Sequence, residues 1–111
     1  MILDEAIDMI RSAAQRQAVP RGKRRKRNLW DTVIAQITER DSFDGECFDT
    51  FVDLIREFLA GLSDETVIEL WCQTESGMGD DPEERIAECV RIELQDELLH
   101  EVTKTAWDEA R

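Results

Sequence analysis

Apolar residues recur along this chain at intervals of three and four, the period of a helix, and never alternate as a half-buried strand requires. The first stripe is Leu3, Ile7, Ile10 and Ala14, flanked by Ala6 and Ala13, and it predicts a helix over about 2–18. Asp4, Glu5 and Asp8 open that helix, and Arg11 and Arg16 lie towards its end, the polarity its dipole favours. Pro20 and Gly22 stop it. Trp30, Val33, Ile34 and Ile37 mark a second helix, with Asn28 placed to cap it and Asp31 three positions on. After the turn at Ser42-Phe43-Asp44-Gly45, a third helix is predicted over about 46–60, with the stripe Phe48, Phe51, Val52, Ile55, Phe58 and Leu59. Phe51, Ile55 and Phe58 should form the centre of the core, and Gly61 fits the left-handed residue that closes many helices.

Leu62-Ser63-Asp64-Glu65-Thr66-Val67 is a start signature: Ser63 caps, the two acids sit at the positive end of the dipole, and Leu62 staples onto Val67. That fourth helix continues through Leu70 and Trp71 and breaks near Ser76-Gly77-Met78-Gly79. Asp81-Pro82-Glu83-Glu84 predicts the opening of a long last helix, along which Ile86, Val90, Leu94, Leu98, Val102 and Ala106 recur every four residues. Leu99 and Trp107 widen that stripe. The expected fold is all-α: a compact, irregular bundle of about five helices with a long C-terminal helix, in a single domain over 1–111.

Composition agrees with helices. Tyrosine is absent and proline occurs only at 20 and 82. At 111 residues the chain is near the usual domain size and buries about two-thirds of its unfolded surface. The longest apolar run, Phe58-Leu59-Ala60-Gly61-Leu62, is far too short to span a bilayer, and Asp4, Glu5 and Asp8 interrupt any signal peptide. No membrane association is expected, and a cytoplasmic setting is. Cys47, Cys72 and Cys89 form no CxxC pair, which suits reduced and mostly buried thiols.

Charge changes the picture most. Of fourteen basic residues, seven fall in residues 16–27, where no acid occurs; the remaining seven share the rest of the chain with all 26 acidic residues, a balance of −19. Residues 19–28 therefore read as an exposed basic linker on a strongly acidic body. Arg21, Lys23, Arg24, Arg25, Lys26 and Arg27 are candidates for contact with nucleic acid or with a partner. Val19-Pro20-Arg21-Gly22-Lys23 resembles the AT-hook, which implies minor-groove contact, although Lys23 stands for the second arginine of that core and Arg24 for its proline. No aromatic residue interleaves the run, which weighs against stacking on single strands.

Reaction chemistry finds little footing. Glu97-Leu98-Leu99-His100 has the Glu-x-x-His spacing of carboxylate-bridged iron bundles, but His100 is the chain's one histidine, so only a symmetric dimer supplies two such motifs. The three cysteines with His100 match a zinc set by count and not by spacing. Glycine-rich phosphate loops, nucleophile elbows and EF-hand patterns are absent. No catalytic, cofactor-binding or metal residue is assigned, and a non-enzymatic role is expected.

The reading that follows is an acidic module that binds a basic, nucleic-acid-handling protein surface, with Asp49, Asp53, Glu57, Glu65, Glu69, Glu88, Glu93, Glu97 and Glu101 in the positions of phosphates. In size and charge the chain is similar to phage- and plasmid-borne inhibitors such as anti-CRISPR proteins, a likeness of type. Trp107 is the candidate interface anchor, and a homodimer is compatible with the sequence. The alternative is a nucleic-acid-binding regulator working through 21–27.

Overall fold

A computed structural model describes residues 2–21, 24–40 and 45–110. In chain order these form α1 (Leu3–Arg16), β1 (Ala18–Arg21), β2 (Arg24–Asn28), α2 (Leu29–Arg40), α3 (Gly45–Ala60), α4 (Asp64–Gln73), a 3-10 turn (Pro82–Glu84) and α5 (Ala87–Ala110). The fold is an all-α bundle with a long C-terminal helix, to which a small hairpin is added.

That hairpin replaces the expected linker. β1 and β2 pair antiparallel, with Ala18 opposite Asn28, Val19 opposite Arg27 and Arg21 opposite Arg24. The register is irregular between Val19 and Arg21, at Pro20, which has no amide proton to give to the ladder. The Leu29 amide donates to the Gln17 carbonyl at 2.7 Å, so α2 begins where the hairpin closes onto α1. Asn28 caps α2 as predicted: its Oδ1 accepts from the Asp31 amide at 2.8 Å, and its side-chain amide donates to the Asp31 carboxylate at 2.9 Å.

Cys47, Phe51, Leu54, Ile55 and Leu59 form the buried face of α3. Phe51 and Ile55 are fully buried, whereas Phe58 and Val52 are half-buried and Phe48 is exposed. The helix is rotated relative to the predicted stripe, with Leu54 inside in place of Phe48. Trp30 and Phe51 meet with ring centroids 6.4 Å apart, which joins α2 to α3.

Ser63 caps α4 by accepting from the Thr66 amide at 3.2 Å. Gly61 makes ordinary helix-end bonds to Glu57 and Phe58; among the described glycines the positive φ belongs to Gly79, at 90°. Asp81 does cap a turn, accepting from the Glu83 amide at 3.0 Å, but this 3-10 turn ends at Glu84, and α5 starts at Ala87. Ile86 therefore lies outside α5 and is exposed.

Val90, Leu94, Leu98, Val102 and Ala106 are all fully buried. Each four-residue step overshoots a turn by about 40°, so the stripe winds around α5 by roughly 160° along its length. The neighbours change accordingly: α5 packs in turn on each of the other four helices. At 24 residues it is about 36 Å long, more than the 26 Å and 22 Å cross-section of the molecule, so it runs near the 50 Å axis. Arg91 ties the α3–α4 corner to it, donating to the Leu62 carbonyl at 2.8 Å and to Asp64 at 2.7 Å.

Candidate functional site

The acidic candidates fall on the outer faces of three helices. Asp49, Asp53 and Glu57 are exposed and four apart, so they line one edge of α3; Asp53 pairs with Arg56 at 3.1 Å. Glu65 and Glu69 are exposed one turn apart on α4 and both border a groove between α4 and the 3-10 turn. Glu88 is exposed in the first turn of α5. Glu93, Glu97 and Glu101 follow along that helix; Glu93 lies 3.8 Å from Arg85, Glu97 accepts from the Ser76 hydroxyl at 2.6 Å, and Glu101 is half-buried. The structure thus brings Glu65 and Glu69 together in one groove and spreads the others over separate faces.

In the basic run, Arg21 and Arg24 are register partners and Arg27 opposes Val19. Lys23 lies outside the described residues, as do the side chains of Arg21, Arg24, Arg25, Lys26 and Arg27. Trp107 is half-buried and packs against the core. His100 is exposed, Cys47 buried, Cys72 half-buried and Cys89 exposed, so the thiols are more accessible than predicted. Among the described residues no three His, Cys, Asp or Glu side chains converge as a metal site requires, and no helix is long and apolar enough to cross a membrane.

Two constellations were not singled out from sequence, and they share one design. Trp30 and Trp71 are buried, and a buried indole N–H needs an acceptor. Trp30 donates to Glu109 at 2.8 Å; Arg11 pairs with the same carboxylate at 2.6 Å and lies 5.8 Å from the Trp30 ring centroid. Trp71 donates to Asp80 at 2.9 Å; Arg85 Nε reaches the same oxygen at 3.0 Å, and the guanidinium lies 5.2 Å from the Trp71 ring centroid. In each, one carboxylate satisfies the indole, the arginine neutralises the carboxylate, and the guanidinium is held over the negative ring face. The Trp71 indole bond and, next, the Arg85 bonds hold the Asp80 carboxyl below its ordinary value of 3.8.

The segment after α4 is built around this second constellation. The Thr74 hydroxyl donates to the Trp71 carbonyl at 2.7 Å and accepts from the Gly77 amide at 3.1 Å. Gly77 then passes so close to Trp71 that a Cβ there would lie 2.8 Å from the indole nitrogen and inside contact distance of the Trp71 carbonyl oxygen. The segment is therefore latched to α4 and carries the 3-10 turn in a fixed place beside that helix. The sequence signal for this was a tryptophan followed nine residues later by an aspartate; Glu109, 79 residues from Trp30, left no such trace.

No protein-family model, curated protein or solved structure matches the chain.

Proposed function

We propose that this chain is a non-enzymatic protein-binding module whose acidic body engages a cationic surface of another protein, in the manner of an inhibitor or adaptor. The observation that carries the reading is the charge on the body: residues 41–111 hold 5 basic and 21 acidic residues, −16, against +4 for residues 1–40 with 9 basic and 5 acidic. Most apolar residues of α3, α4 and α5 turn inward, with Phe48 and Ile92 left exposed, and the outward faces carry many carboxylates. A field of that sign steers cationic surfaces in and raises the on-rate, an effect that salt suppresses. The target surface in this proposal is one that otherwise holds nucleic acid, because spaced carboxylates can occupy phosphate positions.

Poly-lysine tested at increasing salt is the direct assay. The expected result is binding at about 0.15 M salt, weakening steadily as salt rises, and unchanged when 21–27 are neutralised. Absence of binding at that salt contradicts the proposal.

A second reading is favoured by one observation: six of the seven residues 21–27 are cationic, and the segments 18–21 and 24–28 on either side of residues 22 and 23 pair as an antiparallel ribbon, a form that can enter a groove of a duplex. A gel shift with duplex and single-stranded DNA decides it. Submicromolar binding that disappears when residues 21–27 are neutralised would put nucleic acid first.

A further inference from the structure

A groove of about 470 Å³ runs along α4 against the 3-10 turn. Glu65, Ile68, Glu69, Cys72 and Gln73 line it from α4, at the spacing of a single helix face, and Pro82 and Glu83 form the opposite wall. The other face of α4 is spent on the core, where Val67, Leu70 and Trp71 are buried. The groove has an apolar floor of Ile68 and Cys72, faced by Pro82 in the opposite wall, and its rim carries three exposed carboxylates, Glu65, Glu69 and Glu83. Among the described residues no lysine or arginine lines it. A cavity of about 210 Å³ between α3 and α5 makes the contrast: its floor is also apolar, at Leu59, Ala60 and Ile92, but Arg56 and Arg91 stand on its rim.

We infer that the α4 groove is where the acidic body takes its partner, and that the occupant is a cationic amphipathic protein segment. An aliphatic side chain of that segment seats on Ile68, Cys72 and Pro82, and lysine or arginine head groups meet Glu65, Glu69 and Glu83. The inference rests on the proposed binding of a basic protein surface and assigns its location. Three carboxylates around the opening repel phosphates, anionic lipid and acidic peptides. The apolar floor gives nothing to a bare polycation. Lysine and arginine satisfy both, because their methylene stems pack on apolar surface while the charge reaches outward. The volume lies within the ~300–1,000 Å³ range of clefts that hold ligand groups.

The walls are set before binding. Asp80 joins the turn to α4 through Trp71 and Arg85, and the Cys72 thiol lies 3.9 Å from the Asp80 carbonyl oxygen. Asp81 and Pro82 then fix the start of the 3-10 turn. The Trp71–Asp80–Arg85 constellation thus holds the width of the groove, and little ordering remains to oppose binding.

Cys72 in the floor and Cys89, exposed on α5 and not part of the groove, allow a footprint with an internal reference. The probe is a fluorescein-labelled amphipathic peptide of lysine and leucine at helical spacing, beside a lysine–serine peptide of equal charge. Binding is followed by anisotropy, and carbamidomethylation by neutral iodoacetamide is followed by mass spectrometry. The lysine–leucine peptide is expected to bind, to slow modification of Cys72 about tenfold and to leave Cys89 unchanged, while the lysine–serine peptide binds more weakly. The E65Q/E69Q/E83Q variant, altered only at exposed positions, should weaken binding by about tenfold, the sum of three exposed ion pairs.

Peptide binding with Cys72 unprotected and no response to the triple variant would overturn the groove assignment and leave the cationic-partner reading standing. Equal binding of both peptides with Cys72 still reactive would do the same. No binding of either peptide would remove both. A protein that sediments as a dimer with Cys72 already protected would make a second copy the occupant and overturn the inference.

Discussion

Asp80 shows how a single side chain can organise a segment that has no helix of its own. It accepts from the Trp71 indole and from Arg85, and both favour its charged form. Its folded-state value is below the unfolded one, so its contribution is present above about pH 4 and is lost as pH falls through the folded value. The D80N variant should therefore melt below the parent at neutral pH, and the gap should shrink as pH is lowered below about 4. Thermal melts of both proteins across that range check the sign; a gap that is constant with pH would assign Asp80 no electrostatic role. Gly77 is a steric counterpart. G77A forces a methyl group onto the Trp71 main chain and indole, and a loss of about 1–3 kcal/mol is expected in urea unfolding, as for overpacking of a filled site. Neither residue stood out in the sequence, because one aspartate among 26 acidic residues and one glycine in a glycine-rich turn look ordinary until the tryptophan is placed.

The helices were legible wherever both a period and a cap were present. Ser63 and Asn28 cap α4 and α2, and the five buried residues of α5 are those its spacing marked. Two misreadings have physical causes. Asp81-Pro82-Glu83-Glu84 carries a helix-start signature, yet the chain makes one 3-10 turn and restarts at Ala87, with Arg85 drawn to Asp80 and Ile86 left exposed. The hairpin was hidden because its pairing is main-chain, its residues lack alternation, and Arg24-Arg25-Lys26-Arg27-Asn28 holds no β-branched or aromatic residue. Arg21 opposite Arg24 places like charges across the ladder, which opposes pairing. Replacing Lys23, Arg24, Arg25 and Lys26 with serine should thus keep the helical circular dichroism and shift the melting midpoint by only a few degrees. F51A belongs to the same scale and should behave oppositely. Phe51 is fully buried against Trp30, and its loss should cost about 3–5 kcal/mol, enough to unfold much of a marginal domain in a denaturant titration.

For the whole molecule, α5 is the organising feature. Its winding stripe lets four shorter helices bury themselves against one long one, and this leaves outward faces rich in carboxylate on α3, α4 and α5. The hairpin joins α1 to α2 and carries the opposite charge. In the proposed function the larger field decides the partner. A competition titration tests this most directly: one protein sample, a labelled duplex DNA and the labelled lysine–leucine peptide, each followed by anisotropy at about 0.15 M salt, where the Debye length is ~8 Å. The peptide should bind, excess duplex should leave it bound, and neutralising residues 21–27 should change neither result. Tight duplex binding that displaces the peptide and vanishes when those residues are neutralised would contradict the proposed function.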